Sequence, residues 1–219
     1  MESREINPQA QALHHEARLL GQSGKYDIAI GKLEEAMRLQ PDWPYPVYDL
    51  AFTYLLKGDV ANALKYYNIT DNIAPGGFFT TKTAIYALRG EQEGKFPGGI
   101  YLAYMQIEWA NDTDVKIEIA RAIAVKVPEF APAWKVLGSL LNNRQERLSA
   151  IEKGLALLPD AETFGNLIIN KALVYDLEGR KEEAKKLLSE LISSEETSIT
   201  NVELAKFVWK TLEENGGTL

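Results

Sequence analysis

The sequence predicts an all-α chain built as an α-solenoid of antiparallel helix hairpins, about 12 helices in all. The prediction rests on two observations. One pattern is written twice, 34 positions apart: Leu13, Ala17, Leu20, Gly24, Ala29, Ile30, Leu33, Leu39 and Pro41 return as Val47, Ala51, Tyr54, Gly58, Ala63, Leu64, Tyr67, Ile73 and Pro75. A fixed period of that size marks stacked helical units. Within each copy the apolar residues also recur at helical spacing, as in Val47, Leu50, Ala51 and Tyr54.

Each copy reads as helix, turn, helix. Lys57-Gly58-Asp59 interrupts the pattern where a helix C-terminus is expected, Val60 to Ile73 resumes it, and Pro75 stops it. Ala51 and Ala63 allow two backbones to approach closely, and one such hairpin must stack on neighbours to bury its apolar face. These residues resemble the tetratricopeptide repeat (TPR) family. The match is carried by Ala17-x-x-Leu20-x-x-x-Gly24-x-Tyr26-x-x-Ala29 with Pro41, and by Ala51-x-x-Tyr54-x-x-x-Gly58 with Ala63 and Pro75. The resemblance implies a right-handed superhelix whose first helices line a concave groove.

In order, residues 1–9 are a flexible lead-in, and 10–43 and 44–77 are the two clear repeats. Pro44 and Pro46 suit the first turn of a helix. After Pro75 the period slips, and 78–130 is degenerate: helices are expected at 78–92, 99–110 and 114–127, with a flexible turn at Gly94-Lys95-Phe96-Pro97-Gly98-Gly99. Either 99–110 pairs with 114–127, or 78–92 pairs with 99–110; both registers stay open. Residues 131–160 form the next repeat, starting with Ala133-Trp134-x-x-Leu137-Gly138, and 165–198 form the last, with Ala172, Tyr175, Gly179 and Ala184 in place. Glu182 and Lys186 are spaced as an ion pair on its outer face. Residues 199–219 are a capping helix and tail: Thr200 with Glu203 matches a capping box, and Asn215-Gly216-Gly217 ends the helix.

Composition narrows the function. The chain of 219 residues carries a net charge of −7, which argues against a nucleic-acid surface. It has no Cys, so disulfides and thiolate metal sites are excluded. No secretory leader and no membrane-length apolar run is read, and the expected location is cytoplasmic. No phosphate loop, nucleophile elbow or zinc-protease motif is found, so no catalytic residue, no metal and no cofactor is expected. His14 and His15 are neighbours about 100° apart on one helix and read as part of a solvated face.

The resemblance places candidate groove residues on the first helices. They are Gln11, His14 and Arg18, then Tyr45, Tyr48 and Phe52 with Leu55, then Tyr101 and Met105, then Lys135, Ser139 and Asn142, and finally Ile169, Leu173 and Asp176. Some family members hold peptide carboxylates with Lys, Asn and Arg; the equivalent positions are His14, Arg18 and Asp49, and Asp49 would repel a carboxylate. What remains is an aromatic wall of Tyr45, Tyr48, Phe52, Tyr101 and Met105, suited to an apolar helix or extended peptide of a protein partner. The same rings would equally serve as core against the helix at 78–92. The favoured function is a non-catalytic protein-interaction scaffold. The alternatives are an enzyme or small-molecule binder using 76–128, and a self-assembly module joined through the N-terminal edge at 10–23.

Overall fold

The computed structural model describes residues 5–214. The first four residues of the lead-in and the glycine-containing end of the tail lie outside the described residues. Within these bounds the chain is all-α, with twelve helices and no strand. They are α1 (Pro8–Gln22), α2 (Tyr26–Leu39), α3 (Pro44–Leu56), α4 (Val60–Ile73), α5 (Thr81–Gln92), α6 (Ile100–Trp109), α7 (Thr113–Lys126), α8 (Ala131–Leu140), α9 (Arg144–Ala156), α10 (Ala161–Leu177), α11 (Lys181–Ser193) and α12 (Ile199–Glu214). Two compact units divide the chain, Met1–Leu88 and Arg89–Leu219, and α5 runs across the boundary between them.

Each unit is a stretch of α-solenoid, with antiparallel hairpins stacked in chain order. In the first unit α1 packs on α2, α3 on α4, and α2 on α3. Ala17, Ala29, Ile30, Leu33 and Leu50 form the core where the two hairpins meet. The hairpin turn is set by its glycine. Gly24 and Gly58 stand at φ of 73° and 78°, where an L-side chain is strained. That conformation lets the next N–H reach back to a carbonyl of the last helical turn: Lys25 N to Leu20 O, and Asp59 N to Tyr54 O, each 2.9 Å.

In the second unit α6 packs on α7, α8 on α9, α10 on α11, and α12 covers both α10 and α11. The same back-bond closes the last hairpin, from Arg180 N to Tyr175 O at 2.9 Å. It occurs again at the end of α5, from Lys95 N to Gly90 O at 2.8 Å, so α5 ends as a first helix of a repeat does. The loop at 94–99 is pinned rather than loose. Phe96 is buried against Gly90 and the Phe130 ring. The Glu91 carboxylate accepts the N–H groups of Gly99 (2.8 Å) and Tyr101 (3.0 Å), capping α6. Of the two registers left open by the sequence, the structure shows α6 packed on α7; the start of α6 is also tied to the end of α5 through Glu91.

Local expectations differ at three points. The spacing predicts Val115, Ile119, Ala122, Ile123 and Val127 as the apolar stripe of α7; Ile123 and Val127 are buried, but Val115 and Ala122 are exposed and Ala120 and Ala124 are buried instead, because apolar residues fall at several angles round this helix. Lys186 pairs with Glu190 at 3.9 Å instead of Glu182. The cap of α12 is Ser198, whose hydroxyl accepts from Asn201 N, so the helix begins before Thr200.

Candidate partner-binding surface

The proline-flanked entry Trp43-Pro44-Tyr45-Pro46 starts α3 and sets Tyr45, Tyr48 and Phe52 at i, i+3 and i+7. The loop after α4 then returns over them. Gly76-Gly77 turns the chain, with Gly77 at φ 103°, and α5 begins at Thr81 rather than at residue 78. Phe78 and Phe79 are thereby left in the loop against α3. Phe78 meets Tyr45 at 4.9 Å and Tyr48 at 5.7 Å between ring centroids, and Phe79 meets the same pair at 5.7 and 5.2 Å. Edge-to-face pairs of this kind add to plain burial. The Tyr48 hydroxyl is 3.0 Å from the Thr80 hydroxyl, and its ring stands 5.5 Å from Tyr67, which is fully buried.

The cluster is thus graded. Tyr67 is core, Tyr48 and Phe78 are half-buried, and Tyr45 and Phe79 are 44% and 61% exposed. Phe79 holds a φ of 48°, a region costly for an L-residue. The loop takes this conformation with one large ring turned outward.

Beside the rings lies a charged set. His14 is buried, not solvated, and its Nε2 is 2.7 Å from the Asp49 carboxylate. The physical reason is the 35-residue spacing, which places the two on α1 and α3, helices that touch. The Trp43 ring stands 5.0 Å from His14, edge-on. Arg18 reaches Asp49 at 3.8 Å and is well exposed. Asp49 is therefore engaged by two neighbours, and the positions that grip carboxylates in some family members are engaged with each other here. Between α1 and α3 a cavity of about 240 Å³ is lined by Arg18, Gly21, Leu33, Asp49, Phe52 and Leu56 among others. Leu56 lines it; Leu55 is buried in the core.

The second unit treats its candidates differently. Tyr101 is 0% and Met105 8% exposed, so both are core and line no groove. The reason is composition: α6 is apolar nearly all round, and such a helix is buried on more than one side. Ile169 is core as well. Lys135 is half-buried, with its ammonium 5.4 Å from the Tyr104 ring centre. Burial works against the Lys135 ammonium, but the Tyr104 phenol and the Asp160 and Glu108 carboxylates outweigh it and raise its pKa. Burial pushes the Tyr104 phenol up. Ser139 donates to Asn166, and Asn142 lies exposed in the turn between α8 and α9. A further cavity of about 460 Å³ opens beside Trp134, Leu137 and Leu141; Arg121 and Glu146, which pair at 3.1 Å, also line it, and Lys153 sits over the Trp134 ring at 4.7 Å. Among the described residues no three His, Asp or Glu side chains gather as a metal site would require.

Trp43, Phe78 and Phe79 are the members of the surface that sequence reasoning missed. The signal was available in a Phe-Phe pair directly after Gly76-Gly77. It was masked because the helical reading of 78–92 absorbed both rings.

The family profile for the tetratricopeptide repeat matches residues 166–198. No curated protein matches the sequence. Among solved structures, the flexible tandem repeat domain from bacterial cellulose synthase is similar over 92% of this chain and 98% of its own, at 18% identity and a TM-score of 0.59. MamA from Desulfovibrio magneticus RS-1 aligns over 85% of this chain and 94% of its own, at 14% identity and a TM-score of 0.40. YrrB, described as a TPR protein with an unusual peptide-binding site, aligns over 95% and 94%, at 14% identity and a TM-score of 0.39. The cellulose synthase likeness supports the helical-repeat fold.

Proposed function

We propose that this chain, a tetratricopeptide-repeat protein, is a non-catalytic interaction scaffold, and that the aromatic surface of its first unit receives an apolar segment of a partner protein. One observation carries the reading: Tyr45 and Phe79, two large rings 5.7 Å apart, are held outward on a cluster whose other rings are packed beneath them. Rings of this kind bury much area at small entropic cost on binding and are enriched at protein interfaces. The adjoining cavity between α1 and α3 continues the surface with Phe52 and Leu56.

The charges beside it support an uncharged guest. Asp49 is already paired with His14 and Arg18, so the groove offers neither a free cation pair for a terminal carboxylate nor a free carboxylate for a basic peptide. An apolar helix or extended peptide is the class that fits. The net charge of −7 speaks against nucleic acid as the partner. No described helix is long and apolar enough to cross a membrane, and the cytoplasm is the compartment assigned in this reading.

The test is photo-crosslinking from a probe residue at Tyr45, in the source cell, with the full chain. The expected result is one dominant adduct that is lost in the Phe52→Ala/Phe79→Ser variant while the thermal melt of that variant stays near wild type. An adduct formed equally by both proteins would place the partner elsewhere and overturn the reading.

A further inference from the structure

α12 has two faces of opposite use. Asn201, Ala205, Val208 and Leu212, spaced 4, 3 and 4 apart, are buried against α10 and α11. The outward stripe is Ile199, Glu203, Phe207, Lys210 and Glu214, spaced 4, 4, 3 and 4, with Leu204 on its flank. Ile199 is 63% and Phe207 68% exposed, and Leu204 is exposed as well. A capping helix ends an array by turning a polar face to water. This one turns Ile199, Leu204 and Phe207 outward among its charges.

We infer that the outer face of α12 docks on α12 of a second copy of the chain, antiparallel, about a two-fold axis near Phe207. The charges choose the occupant and its direction. A two-fold interface must be self-complementary, with residue i facing j and j facing i. An antiparallel pair centred between Lys206 and Phe207 sets Glu203 of each copy opposite Lys210 of the other, since 203 and 210 are equidistant from that point. The Phe207 rings then meet close to the axis, between two such ion pairs. A parallel pair would instead set Glu203 against Glu203 and Lys210 against Lys210. Antiparallel helices also place opposite ends of their dipoles side by side. Within one chain Glu203 bonds Lys206 at 2.8 Å and Lys210 lies 3.7 Å from Glu214, so the intermolecular pairs join exposed two-residue networks of alternating sign.

The N-terminal edge competes poorly. The exposed side of α1 carries Gln9, Gln11, His15, Glu16 and Arg18, with Leu19 its single large exposed apolar residue. One helix pair is a small interface, at the low end for specific association, so the dimer is expected to form in the micromolar range, about 1–100 µM.

The experiment is sedimentation velocity of the full chain over that concentration range, with circular dichroism and a thermal melt for every variant. Wild type is expected to show a concentration-dependent dimer. Phe207→Glu and Glu203→Lys each weaken it at least about tenfold, and Glu203→Lys with Lys210→Glu in one chain restores it, because the reversed pair is again self-complementary. Leu204→Lys repeats the apolar test should Phe207→Glu lose helicity. Wild type that stays monomeric throughout overturns the inference. So does a dimer indifferent to both Phe207→Glu and Leu204→Lys, or one abolished by Leu19→Glu alone. Failure of the charge reversal to restore a dimer lost in Glu203→Lys overturns the antiparallel arrangement.

Discussion

At the scale of the residue, one close constraint in the second unit is Gly138. A Cβ there would stand 2.6 Å from Ile151 Cγ1, so α8 and α9 approach at a distance that only hydrogen permits. Gly138→Ala is expected to cost about 1–3 kcal/mol, the usual range for overpacking a close contact. A urea melt reads this directly, and trimming Ile151 to Ala in the same chain should recover part of the loss; strict additivity of the two changes would show that they do not touch. The sequence marks Gly138 as part of a Leu-Gly pair, yet it does not say what opposes the glycine. The same gap explains His14. Its type and helix were legible, but its Asp49 partner stands 35 residues away, and only the stacking of α1 on α3 joins them.

At the scale of the element, the glycine turns between paired helices were the most legible features because they are written within a few residues. Asp59 caps α4, accepting the N–H of Asn62 at 3.0 Å and its side-chain amide at 2.7 Å. Those bonds, the side-chain one first and then the backbone one, hold the Asp59 carboxyl below the usual carboxylate range. A group whose pKa is depressed by folding contributes stability above its unfolded pKa, about 4, and that contribution is lost as the pH falls through the folded value. Asp59→Asn keeps an acceptor for the cap and removes the titration. Melting temperatures from pH 7 down to about pH 3 should therefore converge for wild type and variant at the acid end. A constant gap between the two curves would deny Asp59 its role. Where an element is apolar nearly all round, as in α6, the sequence named the helix but not the full extent of its buried surface, and Tyr101 and Met105 were assigned to a groove on that account.

At the scale of the whole molecule, the chain is acidic while its candidate surface is close to neutral, since Asp49 faces the Arg18 guanidinium and is hydrogen-bonded to His14. The proposed partner contact is then governed by apolar area, not by charge. The crosslinking yield from Tyr45 should change less than about threefold when salt is raised from roughly 50 mM to roughly 0.5 M, because screening acts on exposed charges and leaves ring burial intact. A fall of tenfold or more would mean that ion pairs carry the binding. The α12 contact behaves oppositely: its Glu203 and Lys210 pairs are exposed, so its dimer should weaken with salt. The two surfaces can be told apart in one titration.

The repeat period, the helical hairpins, their glycine turns and the covering helix at the end are properties of the sequence alone. Each is specified by neighbours within a turn of helix or by a spacing that any stacked array must keep. Which rings stand outward, which histidine is buried, and which face of a wholly apolar helix meets the core were decided only in three dimensions. Those outcomes depend on what lies across a packing interface, and residues tens of positions apart share no local pattern that would announce their meeting. The loop that lifts Phe79 away from the core shows this most directly: its two rings read as the start of a helix until α3 is placed beneath them.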